Sequence, residues 1–257
     1  MHKLNYTVAN VYEGLEYSTS AELCERMAER CDTAILAFST GKDSIAAWLQ
    51  LRKYFTRVIP FFKYCIPKLS FVEDSLRYYE DYFGCHIWRL PHPSLLRWLT
   101  NGVFQTPDRM KVFPERYSID LSTYTNDTPP AILRQYLNLP DCVYCAVGVR
   151  QADSMTRRVA IKTHGAINHN LRTFYPVYDW LKSDLLNAFY DAKIQLPVDY
   201  RLFGRTFDGL VYEYLDPLQK FFPEDYKLLL KWFPLAQLEF GRYGESERMN
   251  NSREALL

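Results

Sequence analysis

Apolar and polar positions recur along this chain with two different periods. Between Ser18 and Arg30, Leu23 and Met27 lie at helical spacing behind a Ser-Thr-Ser start that suits an N-cap. Thr33-Ala34-Ile35-Leu36-Ala37-Phe38 is instead a short apolar run of the length of a buried strand. A polar hexapeptide, Ser39-Thr40-Gly41-Lys42-Asp43-Ser44, follows at once, and Ile45-Ala46-Ala47-Trp48-Leu49 opens a helix expected to reach Tyr54. The first unit therefore reads as strand, tight loop, helix.

The pattern then repeats. Val58 to Phe62 reads as a strand, and Ser70-Phe71-Val72-Glu73 has the form of a capping box opening a helix to Phe83, with Gly84 as its stop. His86 to Leu90 reads as a third strand, and Pro93 suits the first turn of the next helix. Strands alternating with helices of this length predict a mostly parallel sheet covered on both faces. Residues 101–140 carry Pro107, Pro114, Pro129, Pro130 and Pro140 and are expected to be an irregular insertion that covers the site. Phe174 to Trp180 leads into a short helix ending near Tyr190, and the pattern from Leu215 onward is helical, with Leu228-Leu229-Leu230 and Trp232. The polar tail after Gly244 is expected to fray.

Composition narrows the class. The 257 residues are 48% hydrophobic and 24% charged, which is ordinary for a globular chain. Net charge is +1, so nothing global points to a polyanionic partner. Aromatic residues reach 16%, which fits an aromatic-rich core better than a set of base-stacking platforms. The N-terminal residues are polar and mixed, with no signal peptide or membrane-spanning run, so a cytoplasmic protein is expected. In that compartment the six cysteines read as core, metal or redox groups rather than a disulfide framework. Cys24 and Cys31 lie beside the first helix and read as core. His164 and His169 are set aside as polar surface.

The loop at 39–44 is the strongest chemical signal. A glycine-containing turn between a strand and a helix presents backbone N–H groups and the helix dipole to an anion. Gly41 suits a positive φ or a close approach, Ser39 and Ser44 offer hydroxyls, and Lys42 offers a charge. Asp43 fits a helix cap, an orienting group or a Mg²⁺ ligand. The loop matches neither the common P-loop pattern nor the dinucleotide glycine pattern.

Phe38-Ser39-Thr40-Gly41-Lys42-Asp43-Ser44 resembles the PP-loop signature Ser-x-Gly-x-Asp-Ser of the adenine nucleotide α-hydrolase superfamily, in the form typical of its PAPS (phosphoadenosine phosphosulfate) reductase branch. Cys142 to Arg158, containing Gly148, Arg150, Asp153, Ser154 and Arg157, is similar to that branch's Gly-x-Arg-x-x-Glu-Ser-x-x-Arg segment, with Asp153 in place of Glu. Tyr175-Pro176-Val177-Tyr178-Asp179-Trp180 is similar to its Pro-Ile-x-Asp-Trp stretch, and the likeness continues through Leu196, Pro197, Tyr200 and Gly204. Phage- and plasmid-type members look most like this chain.

The resemblance implies a Rossmann-like, HUP-type α/β fold with a mostly parallel five-stranded sheet, helices on both faces and a helical C-terminal extension. It divides the chain into an N-terminal helical lead-in (1–30), a nucleotide-binding domain (31–210) and the extension (211–257). It implies ATP or PAPS as ligand, held by Ser39, Thr40, Gly41, Lys42, Asp43, Ser44, Gly148, Arg150, Ser154 and Arg157, with Lys42, Asp43 and Arg150 catalytic and Asp43 a Mg²⁺ ligand. AMP-forming activation of an acceptor in sulfur transfer or nucleic-acid modification is the activity it favours, because relatives act in DNA phosphorothioation and tRNA thiolation. A nucleic-acid substrate, a protein partner and a homodimer all stay open. Sulfonucleotide reduction with a partner's thiol, and nucleotide binding without turnover by a regulatory subunit, are the alternatives. The family's C-terminal catalytic cysteine has no counterpart after Cys145. Cys142 and Cys145 supply two of the four thiolates that an iron–sulfur cluster or zinc site needs, which argues against a cluster.

Overall fold

The computed structural model describes residues 17–109 and 123–243. The expected frayed tail, the first part of the lead-in and residues 110–122 of the expected insertion lie outside the described residues. In chain order the elements are α1 (Ser20–Arg30), β1 (Thr33–Ala37), α2 (Lys42–Leu51), β2 (Arg57–Tyr64), α3 (Ser70–Phe83), β3 (Trp88–Pro91), α4 (Pro93–Thr100), α5 (Thr128–Tyr136), β4 (Cys145–Val147), α6 (Met155–His164), β5 (Ile167–Asn168), β6 (Thr173–Phe174), α7 (Lys182–Ala192), α8 (Asp199–Phe203), α9 (Tyr212–Phe221) and α10 (Pro223–Trp232). Among the described residues no helix is long and apolar enough to cross a membrane.

The chain forms two units. One takes its described residues from Met1–Lys63, Tyr79–Leu90 and Asp127–Leu196, the other from Tyr64–Tyr78, Pro91–Asn126 and Pro197–Leu257. The first holds an α/β sheet in the order β3-β2-β1-β4-β6-β5. β1 runs parallel to both β2 and β4, with Ile35 opposite Ile59 on one side and Cys145 on the other. β4 runs parallel to β6, and β5 runs antiparallel to β6. The sheet is mostly parallel as expected, but has six strands rather than five. The extra strand is the two-residue β5, too short to carry an alternating pattern.

From β1 the chain steps outward to β2 and β3, then returns to β1's other side with β4. Crossovers in the two directions place helices on opposite faces, because parallel connections keep one hand. In open, mostly parallel sheets the point where the order reverses, here the C-terminal ends of β1 and β4, is where ligands generally bind.

Ile35, Ile59, Phe61, Leu133, Val143 and Cys145 form one buried cluster of the sheet unit. Leu133 comes from α5, which corrects the expectation of an irregular insertion throughout 101–140. Pro129 and Pro130 sit in the first turn of α5, where a missing N–H costs nothing. Aromatic side chains seal another part of this unit: Phe38 meets Trp48 edge-on at 4.9 Å and Tyr79 at 5.1 Å, and Trp48 stacks on Phe83 at 3.8 Å. The second unit is helical and built on rings. Phe71 contacts Phe207 at 5.9 Å and Phe222 at 5.2 Å, and Tyr214 contacts both Phe203 and Phe207.

One expected cap is supplied differently. Ser70 lies inside α3, and the helix start is satisfied by buried Asp225, whose carboxylate accepts from the Ser70 amide at 2.8 Å and the Ser70 hydroxyl at 2.7 Å. A carboxylate buried with these donors avoids the cost of an unpaired charge and faces the positive helix end.

Candidate functional site

The hexapeptide sits at the topological switch point, between β1 and α2. Gly41 is the N-cap of α2 in extended geometry (φ −73°, ψ 152°), so it does not adopt the positive φ that its identity suits. That role falls to buried Thr40, at φ 57°. A β-branched residue in the left-handed region is strained, and such strain persists only where surrounding contacts hold it. Here the Thr40 hydroxyl donates to the Ser39 carbonyl at 2.6 Å. Ser44, also buried, ties the loop: its hydroxyl donates to the Gly41 carbonyl at 2.8 Å and accepts from the Ser39 amide at 3.1 Å. Asp43 does not cap α2; it turns toward two cations.

The segment after β4 packs directly against this loop. A Cβ placed on Gly148 would lie 2.5 Å from the Asp43 carbonyl oxygen and 2.7 Å from the Ser44 amide nitrogen. Only glycine allows the two backbones this approach. The two motif blocks, separated by about a hundred residues in sequence, thus become one surface.

A chain of alternating charge runs through it. Lys42 Nζ lies 3.1 Å from Asp43 Oδ2, and Arg150 Nε donates to Asp43 Oδ1 at 2.6 Å. Arg150 Nη2 donates to Asp153 Oδ1 at 2.5 Å, and Arg157 Nη1 to Asp153 Oδ2 at 2.7 Å. The third nitrogen of Arg150 approaches the Trp180 carbonyl at 3.4 Å. Three cations and two carboxylates leave a positive surplus of one. Burial divides the cations: the Arg150 side chain is 6% exposed, whereas Lys42 is 44% and Arg157 48% exposed. Arg150 is the hub, and the solvent-facing charges are at the two ends. The sequence could not show this, because Asp153 reads as a plain replacement for Glu rather than as the second anchor of Arg150.

Ser154 is the N-cap of α6, its hydroxyl accepting from the Arg157 amide at 3.2 Å. It therefore fixes the helix that carries Arg157. Trp180 belongs to the third motif block, which also holds Gln151 through the Tyr178 carbonyl at 2.8 Å. Asp179 in the same block accepts from the Ser20 amide at 3.0 Å and so anchors the start of α1. The third block is a support for the second.

The donor set does not fit a protein-built Mg²⁺ cage. Both oxygens of Asp43 already face cations, and both oxygens of Asp153 accept from arginines. Among the described residues no group of three or more His, Cys, Asp or Glu is arranged to hold a metal. Cys145 is buried in the sheet core, and burial pushes its thiol up to about 12. Cys142 is exposed and its sulfur lies 2.9 Å from that of Cys31. Cys24 is buried as expected, and Cys31 is half-buried and packs against the edge of the Ile35–Cys145 core cluster. The signal for that contact was present in the sequence: each cysteine stands just ahead of one of the strands that carry the motif loops.

No family model matches the chain, and no curated protein matches it. Among solved structures it is similar to an NH3-dependent NAD synthetase from Campylobacter jejuni subsp. jejuni NCTC 11168 in complex with the nitrate ion, at 14% identity and a TM-score of 0.43, over 86% of this chain and 91% of that one. It is also similar to the U34-tRNA thiolase NcsA from Methanococcus maripaludis with its [4Fe-4S] cluster, at 10% identity and a TM-score of 0.39, over 85% of this chain and 79% of that one.

Proposed function

We propose that the chain is a PP-loop enzyme of the PAPS reductase-like branch that binds ATP at the C-terminal ends of β1 and β4 and activates an acceptor with release of pyrophosphate. The observation that carries this reading is the backbone contact at Gly148, which joins the 39–44 loop to the segment bearing Arg150 and Arg157. Loop amides at the α2 N-terminus bind phosphate oxygens, as helix starts generally do. Lys42 and Arg157, the exposed ends of the charge chain, neutralise the anion. Buried Arg150 positions Asp43 and Asp153 and does not itself meet the ligand. Charge stabilisation at the α-phosphate and a held pyrophosphate are what displacement there requires. Mg²⁺ accompanies the nucleotide's phosphates in this reading rather than occupying a protein cage. The acceptor is a nucleic-acid component or small metabolite whose oxygen attacks the α-phosphate as pyrophosphate leaves; a sulfur or nitrogen nucleophile then attacks the carbon bearing that oxygen, and AMP leaves with the oxygen.

Calorimetry with ATP, AMP and PAPS in the presence of Mg²⁺ tests the reading. ATP binding weakened about tenfold or more by Lys42→Ala and by Arg157→Ala, at unchanged Tm, is the expected result, equivalent to roughly 1.4 kcal/mol. Preference for PAPS, with sulfite released once a thiol donor is added, would move the assignment to sulfonucleotide reduction. Tight ATP binding without pyrophosphate release would make the chain a nucleotide-binding subunit. No binding of any of the three removes the nucleotide assignment.

A further inference from the structure

Two thiols meet at the opposite end of the same strand pair. Cys31 ends α1 just before β1, and Cys142 stands just before β4. Because β1 and β4 are parallel, both cysteines lie at the N-terminal ends of the strands whose C-terminal ends carry the loop site. The Cys142 thiol donates toward the Cys31 sulfur at 2.9 Å, across 111 residues of sequence. A disulfide needs the sulfurs about 0.9 Å closer, near 2.05 Å, a shift within reach of side-chain rotation. Cys24, Cys65 and Cys145 are buried, whereas Cys142 is exposed and Cys31 and Cys85 are half-exposed; what sets Cys31 and Cys142 apart is the contact between their sulfurs.

We propose that Cys31 and Cys142 are a covalent modification site, oxidised to an intramolecular disulfide by low-molecular-weight disulfides of the glutathione type. Exposed Cys142 reacts first. Its thiolate attacks one sulfur of oxidised glutathione, the glutathione S–S bond breaks, and one glutathione leaves as thiolate and takes up a proton. Cys31 then resolves the mixed disulfide: its thiol loses a proton, its sulfur attacks Cys142 Sγ, and the second glutathione leaves and is protonated. Two cysteine thiols and one glutathione disulfide become one protein disulfide and two glutathione thiols, with two electrons passing from the cysteines to glutathione. The order follows from environment. Burial, and next the hydrogen bond that the Cys31 thiol shares with Cys142, push Cys31 up to about 11, so it stays protonated while Cys142 is free. Capping Cys142 removes that hydrogen bond and the charge repulsion of its thiolate.

The bridge would tie the leads of β1 and β4 and constrain the long intervening stretch of the unfolded chain. It does not rest on the nucleotide reading. The test uses the full reduced chain incubated with oxidised glutathione, then intact mass, thiol titration and peptide mapping. The expected product has lost two of its six thiols and the mass of two hydrogens, retains no glutathione, and yields one cross-linked peptide containing Cys31 and Cys142. Its Tm rises by roughly 5–10 °C over the reduced form, the size expected of a long-loop disulfide in a chain of this length. The Cys31→Ser variant, checked for native circular dichroism, is expected to stop at a single glutathione held on Cys142. Wild-type protein that accumulates that same mixed disulfide, that links other cysteines, or that keeps all its thiols under these conditions overturns the proposal.

Discussion

The strand pair β1–β4 ends in two different chemistries. At its C-terminal end, two loops touch backbone to backbone through Gly148, and five alternating charges run from Lys42 to Arg157. At its N-terminal end, two thiols face each other. The sheet between is uniformly apolar, with Ile35, Leu36, Cys145 and Ala146 buried. At the charged end each carboxylate is shared by two cations, and Arg150 is common to both. At the sulfur end the Cys142 thiol donates toward the Cys31 sulfur.

The sharpest way to break this contrast is Arg150→Ala. Removing the buried hub leaves two carboxylates each with one cation fewer and should cost about 3–5 kcal/mol in denaturant unfolding, with ATP binding lost as well. Arg150→Lys should recover little, because one ammonium does not span two carboxylates as the guanidinium fork does. Full retention of stability in either variant would deny Arg150 its role as hub. Gly148→Ala comes next. The added methyl meets backbone rather than a flexible side chain, so a loss of about 1–3 kcal/mol is expected, with ATP affinity falling further than stability alone explains.

Glu80 belongs to neither end and calibrates the electrostatic part. Its carboxylate accepts from the Ile87 amide at 2.7 Å and from Arg89 Nη2 at 3.0 Å. Burial raises its pKa, but the hydrogen bond and charge of Arg89 outweigh burial and hold it below 4.5. The folded value lies below the unfolded one, so the contribution is present above the unfolded pKa and is lost as pH falls through the folded value. Glu80→Gln is therefore expected to cost roughly 1–2 kcal/mol at pH 7 and nothing in strong acid, read from unfolding at several pH values. The smallest effect expected is on ATP affinity after oxidation of Cys31 and Cys142. It should stay within about twofold, because the apolar sheet separates the two ends and a twofold change is roughly 0.4 kcal/mol. A larger change measured by calorimetry would mean that the strand pair transmits strain from end to end.

Local periodicity was enough for most of the elements. α1, β1, β2 and α3 fall where apolar spacing and turn residues place them, because each buries one continuous face or run. α2 starts three residues earlier than its apolar run, at Lys42, since a helix's first turn is polar when it faces a crevice. β4, at three residues, and β5 and β6, at two each, are too short for any period to register. α5 was hidden behind its own prolines, which break a helix in the middle but not at the start.

At the site, the sequence by itself nominated the candidates: the 39–44 loop, Gly148, Arg150 and Arg157 stand in order and carry groups suited to an anion. Tertiary structure decided what each does. It put the positive φ on Thr40 instead of Gly41, gave α3 a cap from Asp225, and paired Cys142 with Cys31. It also buried Arg150 between Asp43 and Asp153 and left Lys42 and Arg157 facing solvent. The physical reason is the same in each case. Residue type fixes the donors, acceptors and charges a position can offer, but partners brought close from distant parts of the chain determine which of them are used up within the protein and which face outward.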